Sequence, residues 1–220
     1  GTQNVIDAAM EAGVGKVLFI SSDKACEATS VYGASKRLGE GLAIGANAIC
    51  YPRGTRIAAL RYGNVAGSRG SVVHLWRAAV AAGQPIRLTH REMTRFWLTL
   101  PQACGLIESA LARMDGGEIF VPLLPSLEVR DLAQIIGGPD YAIEIVGLRQ
   151  GGEKLHETLL ASDEIHRAEV VQTGLMIPPH FMSWGGQIRH GLPYTGGPYS
   201  SQTAPRLAVA EMRDLLERVP

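Results

Sequence analysis

The alternation of short apolar runs with helix-patterned segments constrains the fold of this chain most. Residues 16–21 and 57–62 form two short, nearly continuous apolar runs, which are typical of strands buried on both faces of a sheet. A segment with apolar residues at helical spacing follows each run, over residues 31–48 and 72–82. Strands that alternate with helices predict an α/β fold with a largely parallel sheet.

The remaining secondary structure is predicted from shorter patterns. Three further apolar segments are predicted as strands: residues 86–88, 118–121 and 142–146. Apolar residues at helical spacing predict helices over residues 5–10, 100–112, 129–136, 154–160 and 209–218. Residues 170–205 are rich in Gly, Pro and Ser and show no periodic pattern, so no element is assigned there.

Composition and charge exclude several classes of protein. Of the 220 residues, 46% are hydrophobic, which is enough apolar material for a folded core and excludes global disorder. Basic and acidic residues balance at 21 each, whereas proteins that bind nucleic acids or membrane surfaces usually have a basic excess. No apolar run reaches the ~18 residues of a membrane span. We expect one large domain, or one domain with a small annex, without a nucleic-acid partner or a membrane span.

The spacing of cysteine and histidine argues against disulfides and metal binding. Cys26, Cys50 and Cys104 are widely separated and form no Cys-x-x-Cys motif. An odd number of cysteines without a secretory signal favours a reducing compartment, so a cytoplasmic protein is expected. No two of the six histidines stand four residues apart, and no metal site is expected.

A group of polar residues follows the first predicted strand, where α/β sheets usually place their chemistry. Residues 21–24 (Ser-Ser-Asp-Lys) end that strand, and Tyr32 and Lys36 follow at a spacing that puts them on one helix face. An ammonium group beside a phenol stabilises the phenolate, which can take a proton from a sugar or alcohol hydroxyl. A surface Tyr–Lys pair and an exposed Asp–Lys ion pair fit the same spacing, so these residues alone do not decide the function.

A second group of polar residues suits a phosphate-containing ligand. Asn64 follows the second predicted strand, and Ser68 and Arg69 lie in a glycine-containing loop before the next helix. Free N–H groups at a helix N-terminus favour anions. Arg95 and Arg149 supply planar donor forks for phosphate oxygens, although each arginine alone would equally fit a solvated surface charge.

Taken together in order, these motifs resemble a known family. Ser-x-Asp-Lys-Ala at 21–25 and Tyr-Gly-x-Ser-Lys at 32–36 are similar to the extended short-chain dehydrogenase/reductase superfamily, and within it to the nucleotide-sugar 4,6-dehydratases of polysaccharide biosynthesis. Further stretches match in the family's order: residues 61–72, 93–97, 117–122 and 152–157. The resemblance covers about residues 1–157 and continues more loosely to the end.

The resemblance implies how the chain is organised. It implies the C-terminal part of a Rossmann-like parallel sheet with a small substrate-binding α/β subdomain. Residues 1–83 and parts of 98–125 would belong to the Rossmann-like domain, and residues 84–97 and 126–220 to the substrate-binding subdomain and a C-terminal tail. In complete family members the glycine-rich cofactor turn lies upstream of the point aligned with Gly1, so the first βαβ half is expected to be missing, with one edge of the strand at 16–21 unpaired.

The resemblance also implies a reaction. Members of the inverting group convert UDP-N-acetylglucosamine to a 4-keto-6-deoxy sugar with NADP (or NAD), as in pseudaminic acid synthesis; retaining relatives often carry Met where Tyr32 stands. Tyr32, assisted by Lys36, would take the C4 hydroxyl proton. Lys24 would remove the C5 proton, provided burial or a nearby positive charge favours its neutral form. Asp23 would protonate the leaving C6 hydroxyl.

The resemblance extends to ligand-binding residues and assembly. The cofactor would contact Ser21, Tyr32, Lys36 and Tyr62. The UDP-sugar would contact Ser22, Asn64, Ser68, Arg69, Arg95, Arg149 and Glu153. The loop at 149–154 (Arg-Gln-Gly-Gly-Glu-Lys) departs from the family's usual Arg-Pro-Gly-Glu-Lys by one extra residue and a missing proline, which weakens the assignment of Arg149. A homo-oligomer is expected.

Two other functions fit parts of the same pattern. A nucleotide-sugar 4-epimerase would use the Tyr32–Lys36 pair but would not need the elimination pair Asp23–Lys24. A truncated or degenerate chain that binds a UDP-sugar without catalysis would explain the missing glycine-rich turn.

Overall fold

A computed structural model describes residues 1–68, 70–179 and 191–217. The helices are α1 (Thr2–Glu11), α2 (Val31–Gly45), α3 (Asn47–Cys50), α4 (Val72–Ala81), α5 (Leu100–Arg113), α6 (Val129–Gly137) and α7 (Val209–Glu217), with 3₁₀ turns at Tyr51–Arg53 and Ile165–Arg167. Within the described ranges, no helix combines the length and the apolar character that crossing a membrane would require.

Thirteen strands accompany these helices in the described part of the chain. In chain order they are β1 (Lys16–Ile20), β2 (Arg56–Leu60), β3 (Asn64–Val65), β4 (Ile86–Leu88), β5 (Thr94–Leu98), β6 (Ile119–Val121), β7 (Ser126–Glu128), β8 (Ile143–Ile145), β9 (Thr158–Leu160), β10 (Glu169–Val171), β11 (Gly174–Ile177), β12 (Leu192–Pro193) and β13 (Tyr199–Ser200). The predicted α/β class is confirmed.

The chain divides into two compact units, each built from three separate segments. The first unit comprises Gly1–Tyr62, Cys104–Leu123 and Thr158–Tyr199. The second comprises Gly63–Ala103, Leu124–Glu157 and Ser200–Pro220. This division differs from the limits expected from the sequence in two places, because residues 63–83 belong to the second unit and residues 158–199 to the first.

The first unit is built on a six-stranded sheet in the order β1-β2-β6-β11-β10-β12. Strands β1, β2 and β6 are parallel, as predicted, whereas β11, β10 and β12 are antiparallel and come from the region to which no element was assigned. Successive residues of β2 point to opposite faces. Ile57 packs in a cluster with Ile6 and Ala43, and Ala58 packs in a cluster with Ala110. Burial on both faces explains the continuous apolar run.

The second unit contains two small sheets around a separate core. Strand β5 lies between β3 and β7 in one sheet, and β4 pairs with β8 in the other. Helices α4, α6 and α7 supply apolar residues to the core, as do β4, β5 and β7. The largest core side chains include Trp76 and Trp97.

One predicted helix is wrong. Residues 154–160 were expected to be helical, but residues 158–160 form strand β9, and residues 154–157 are irregular with a bend at 155–156. The reason is burial: Leu159 and Leu160 are both fully buried, which leaves no exposed polar face for an amphipathic helix. Strand β5 was not predicted, because its five buried residues include Arg95, whose charge interrupts the apolar pattern.

Gly33 allows the segment before α2 to pack directly on the first turn of that helix. A Cβ atom at Gly33 would lie 2.2 Å from the backbone carbonyl oxygen of Lys24. Real Cβ atoms do not approach a backbone oxygen this closely, so a side chain here would push the two segments apart.

We therefore expect Gly33→Ala to lower the free energy of unfolding by about 2–3 kcal/mol, the upper part of the usual range for overpacking. The matched control is Gly41→Ala in the same helix, where a Cβ atom meets nothing within 4 Å. This control should be neutral or should stabilise the protein by about 0.5–1 kcal/mol through helix propensity. Urea denaturation measures both effects, and equal stability of the two variants would contradict the close packing at Gly33.

Candidate active site

The carboxyl ends of β1 and β2 carry the residues that the sequence singled out. Main-chain pairing continues beyond both strands: the Ser21 N–H donates to Leu60 O (2.8 Å), and the Asp23 N–H donates to Tyr62 O (3.0 Å). Residues 21–23 therefore run beside the end of β2. This is the edge of a parallel sheet at which ligands usually bind.

Asp23 is fully buried and is bonded to both of its neighbours in sequence. Its Oδ1 accepts hydrogen bonds from Ser22 Oγ (2.9 Å) and Lys24 Nζ (2.9 Å), whereas Lys24 keeps a third of its side chain exposed. Its Oδ2 is buried with no hydrogen-bond partner among the described residues. Because an unsatisfied buried oxygen is costly, Oδ2 marks a position where a ligand donor could bind.

Helix α2 positions Tyr32 and Lys36. The helix begins at a cap in which Ser30 Oγ accepts a hydrogen bond from Gly33 N. One turn apart, Lys36 Nζ donates to Ile20 O (2.9 Å) and lies 5.9 Å from the centre of the Tyr32 ring. Tyr32 is 53% exposed and therefore open to a ligand.

Tyr62 lies close enough to Tyr32 to be affected by it electrostatically. Burial raises the pKa of Tyr62 most, and the nearby Tyr32 and Cys104 raise it further. A raised pKa keeps the Tyr62 hydroxyl neutral at physiological pH, so Tyr62 can donate a hydrogen bond but is not a base. The first unit thus brings together six of the predicted residues: Ser22, Asp23, Lys24, Tyr32, Lys36 and Tyr62.

Ser21 differs from the other residues of its motif. Its side chain is buried, and its hydroxyl donates to Glu40 Oε1 at 2.6 Å. The hydroxyl is therefore committed to a contact inside the protein, and this arrangement does not support the predicted contact between Ser21 and a ligand.

A buried ionic cluster next to the motif was missed from the sequence. The Arg61 guanidinium is fully buried and donates to both carboxylate oxygens of Glu40, at 2.8 Å each. It also donates to both oxygens of Glu164, at 2.7 and 2.8 Å, and to Leu159 O at 3.0 Å. Arg37 contacts the same two carboxylates at 3.1 and 3.2 Å, so two cations face two anions.

The charges of this cluster hold one another in the ionised state. Burial alone would raise the pKa of Glu164, but hydrogen bonds from Arg61 and its positive charge outweigh burial and lower the pKa to about 2. Burial of Arg61 would lower its own pKa, but its hydrogen bonds to Glu40 and Glu164 raise the pKa well above its usual value. The sequence contains one indication of this cluster. Glu40 stands four residues after Lys36 and eight after Tyr32, which puts all three on one helix face.

The predicted phosphate ligands lie in the second unit. Asn64 is in β3, and its Oδ1 is buried with no hydrogen-bond partner among the described residues. Ser68 is exposed in the following turn, where its carbonyl oxygen accepts a hydrogen bond from Ser71 N. Arg69 lies outside the described residues. Asn64 thus has an oxygen to offer to a ligand donor, and its role stays a prediction.

Arg95 makes contacts that suit a structural role. Its guanidinium donates to three backbone carbonyl oxygens: Thr94 O (2.7 Å), Lys154 O (2.9 Å) and Leu155 O (3.1 Å). These bonds tie β5 to residues 154–155. A phosphate would have to compete with them, so the structure does not support Arg95 as a free phosphate ligand.

Glu153 contacts two of the predicted arginines of this unit, Arg95 and Arg149. Its carboxylate accepts hydrogen bonds from Arg149 Nη2 (2.9 Å) and Nε (3.1 Å), and its Oε1 lies 3.7 Å from Arg95 Nη2. The Arg149 side chain is 78% exposed, whereas that of Glu153 is 9% exposed. The structure thus brings these three residues together, but as an ion-pair cluster in which the Glu153 carboxylate contacts both arginines.

Known proteins are similar to this chain in sequence and in fold. The UDP-N-acetylglucosamine 4,6-dehydratase (inverting) of Campylobacter jejuni is 44% identical over 167 residues, 76% of this chain and 49% of that protein. The UDP-glucose 4-epimerase of Rickettsia typhi is 33% identical over 98% of this chain and 65% of its own length. The chain therefore spans about half the length of the dehydratase and two thirds of the epimerase.

A solved structure gives the same result for the fold. The X-ray structure of Pen from Bacillus thuringiensis superimposes with a TM-score of 0.87 and 33% identity, covering 98% of this chain and 66% of that one. The predicted Rossmann-like character of the fold is confirmed by such neighbours. A family model described as "Polysaccharide biosynthesis protein" matches residues 1–179. The chain belongs to this polysaccharide biosynthesis protein family.

Proposed function

We propose that this chain carries the acid–base residues of a nicotinamide-dependent nucleotide-sugar 4,6-dehydratase that acts on UDP-N-acetylglucosamine with inversion at C5, for surface glycan synthesis. The observation that carries this proposal is the hydrogen bond between Lys24 and the buried Asp23, next to the pair of Tyr32 and Lys36 on α2. The name of the Campylobacter jejuni relative supports the same reaction.

The residues present fit a nicotinamide dinucleotide, NADP or NAD. Lys36 has three N–H donors, of which Ile20 O accepts one, so donors remain for the ribose hydroxyls of such a cofactor. The exposed Tyr32 and the neutral hydroxyl of Tyr62 would line the same position. A bound nicotinamide would supply the reversible hydride acceptor that oxidation at C4 and reduction at C6 require.

Tyr32 is placed to act as the first base. Lys36 Nζ lies 5.9 Å from the centre of the Tyr32 ring, one helical turn away on the same face. The phenolate takes the proton of the C4 hydroxyl as C4 is oxidised. The ketone at C4 then makes the C5 hydrogen acidic, which prepares the elimination.

Asp23 and Lys24 can supply both an acid and a base. Shifting one proton along their 2.9 Å hydrogen bond converts the ion pair into a neutral amine and a carboxylic acid without changing the net charge. Asp23 is fully buried beside Lys24, so the proton can pass between the two groups without entering solvent. The Lys24 amine takes the C5 proton, and the Asp23 carboxyl group gives its proton to the C6 hydroxyl, which leaves as water.

A 4-epimerase is the second candidate function. It is favoured by the Rickettsia typhi relative, which matches 98% of this chain. An epimerase would use Tyr32 and Lys36 in the same way but would leave Asp23 and Lys24 without an elimination to catalyse. A non-catalytic protein that binds UDP-sugars is the third candidate.

The reaction itself can be tested directly. We expect the complete gene product, incubated with UDP-N-acetylglucosamine and either NADP or NAD, to form a 4-keto-6-deoxy sugar detected by NMR. Formation of the 4-epimer instead would support the epimerase. Binding of the substrate without any product would support the non-catalytic alternative and contradict the proposal.

Substitution of Lys24 tests its assigned role. We expect Lys24→Ala to slow elimination by about 10²–10⁴-fold, the usual contribution of a general base, while oxidation at C4 continues. Absorbance of the reduced cofactor reports oxidation, and hydrogen exchange at C5 in D₂O reports proton removal. The matched control is Lys16→Ala at the start of β1, where Lys16 Nζ donates to Leu111 O. If elimination proceeds normally in Lys24→Ala, another group is the C5 base.

A further inference from the structure

Three residues of α2 share one face, and the mechanism above uses only two of them. Tyr32, Lys36 and Glu40 follow at intervals of four residues. Lys36 contacts the Ile20 carbonyl oxygen and Glu40 contacts the Ser21 hydroxyl, so successive turns of the helix hold successive residues at the end of β1. These two contacts fix the position of α2 along the strand.

Arg61 ties the same helix to the neighbouring strand. Its guanidinium binds both oxygens of Glu40 in a bidentate pair, and the next residue, Tyr62, accepts the Asp23 N–H. Residues 21–23 are therefore held by Glu40 of α2 on one side and by the main chain at Tyr62 on the other, and Arg61 links the two. A bidentate pair fixes distance and orientation together.

The cluster is better explained by its effect on the position of α2 than by a contribution to the stability of the fold. Replacing a buried ion pair by apolar residues of similar volume is often neutral or stabilising, so ion pairs are not needed to fill such a space. Apolar packing is not directional, however, and would not fix α2 in one register against β1. Directional bonds from Glu40 to Ser21 and Arg61 do so.

We propose that Glu40 is a positioning residue that, through Ser21 and Arg61, sets the register of α2 against β1 and so the approach of Tyr32 and Lys36 to the Asp23–Lys24 pair. The inference rests on the proposed dehydratase function for its catalytic consequence. It adds to that function a residue that contacts neither substrate nor cofactor.

The first test measures local opening and needs no substrate. Glu40→Gln keeps the size of the side chain but replaces one acceptor oxygen by an N–H₂ group facing the Arg61 donors. Glu118→Gln is the matched control, since Glu118 is equally buried and accepts hydrogen bonds from Asp115 N and Gly116 N at the other end of the sheet. Hydrogen exchange should accelerate over residues 21–25 in the Glu40 variant only.

The second test asks whether Glu40 acts through Ser21. In the complete gene product, Ser21→Ala and Glu40→Gln should each lower kcat by about 10–100-fold at nearly unchanged KM, since a misplacement of about 1 Å can cost this much. The double variant should be no slower than Glu40→Gln alone, and Ser21→Thr should restore kcat. Where Glu40→Gln fails to fold, Ser21→Ala carries the test, because it leaves the buried charges balanced.

The two proposals fail in distinguishable ways. If the wild type does not turn over UDP-N-acetylglucosamine but exchange at 21–25 responds to Glu40→Gln alone, the dehydratase function is wrong and the positioning role stands. Unchanged exchange at 21–25, additive losses in the double variant, or equal effects of Glu118→Gln on kcat would each overturn the positioning role.

Discussion

The parallel pairing of β1 with β2 is the constraint on which the first unit depends. Ile57, Ala58 and Ala59 of β2 are fully buried, so side chains along β2 must be apolar and its backbone must be paired with the strands on either side. Polar chemistry is possible only where the strands end. Residues 21–24 follow β1, and Arg61 and Tyr62 follow β2. Hydrogen bonds from Ser21 N to Leu60 O and from Asp23 N to Tyr62 O fix the position of residues 21–23 before any side chain contributes.

Charge inside the first unit follows a second rule, that of local neutrality. Arg61 is fully buried and its two glutamates nearly so, and Arg37 completes an equal number of positive and negative groups. Removing one member would leave a buried charge without compensation, which costs about 3–5 kcal/mol. Asp23 is as deeply buried; within the part of the chain that the structure describes, its Oδ1 pairs with Lys24 and its Oδ2 has no hydrogen-bond partner. This difference separates a closed structural cluster from a site prepared for a ligand.

The sequence predicts elements and site residues that depend on residues close to them in the chain. It does not predict contacts between residues that are far apart in the chain. Strands β1 and β2 and helix α2 were predicted because burial on both faces or one face leaves a regular pattern. Asp23, Lys24, Tyr32 and Lys36 were found because they lie within 14 positions of one another. The spacing of Tyr32, Lys36 and Glu40 indicates a shared helix face, but the partners of Arg61 stand 21 and 103 residues away from it and cannot be identified from that spacing. The three hydrogen bonds from Arg95 to carbonyl oxygens are likewise not indicated by its neighbours in sequence.

In the proposed reaction, the Asp23–Lys24 pair and Tyr32 differ in whether they must exchange a proton with solvent, and they differ in exposure in the same sense. Elimination gives Lys24 one proton and takes one from Asp23, which regenerates the ion pair from which the neutral pair arose. The pair therefore needs no exchange with solvent, and Asp23 can be fully buried. Tyr32 instead gains the C4 hydroxyl proton and must release it before the next turnover. This release balances the proton that C5 takes up on its opposite face when hydride returns to C6. Tyr32 is 53% exposed, which gives the proton that it releases a route to solvent.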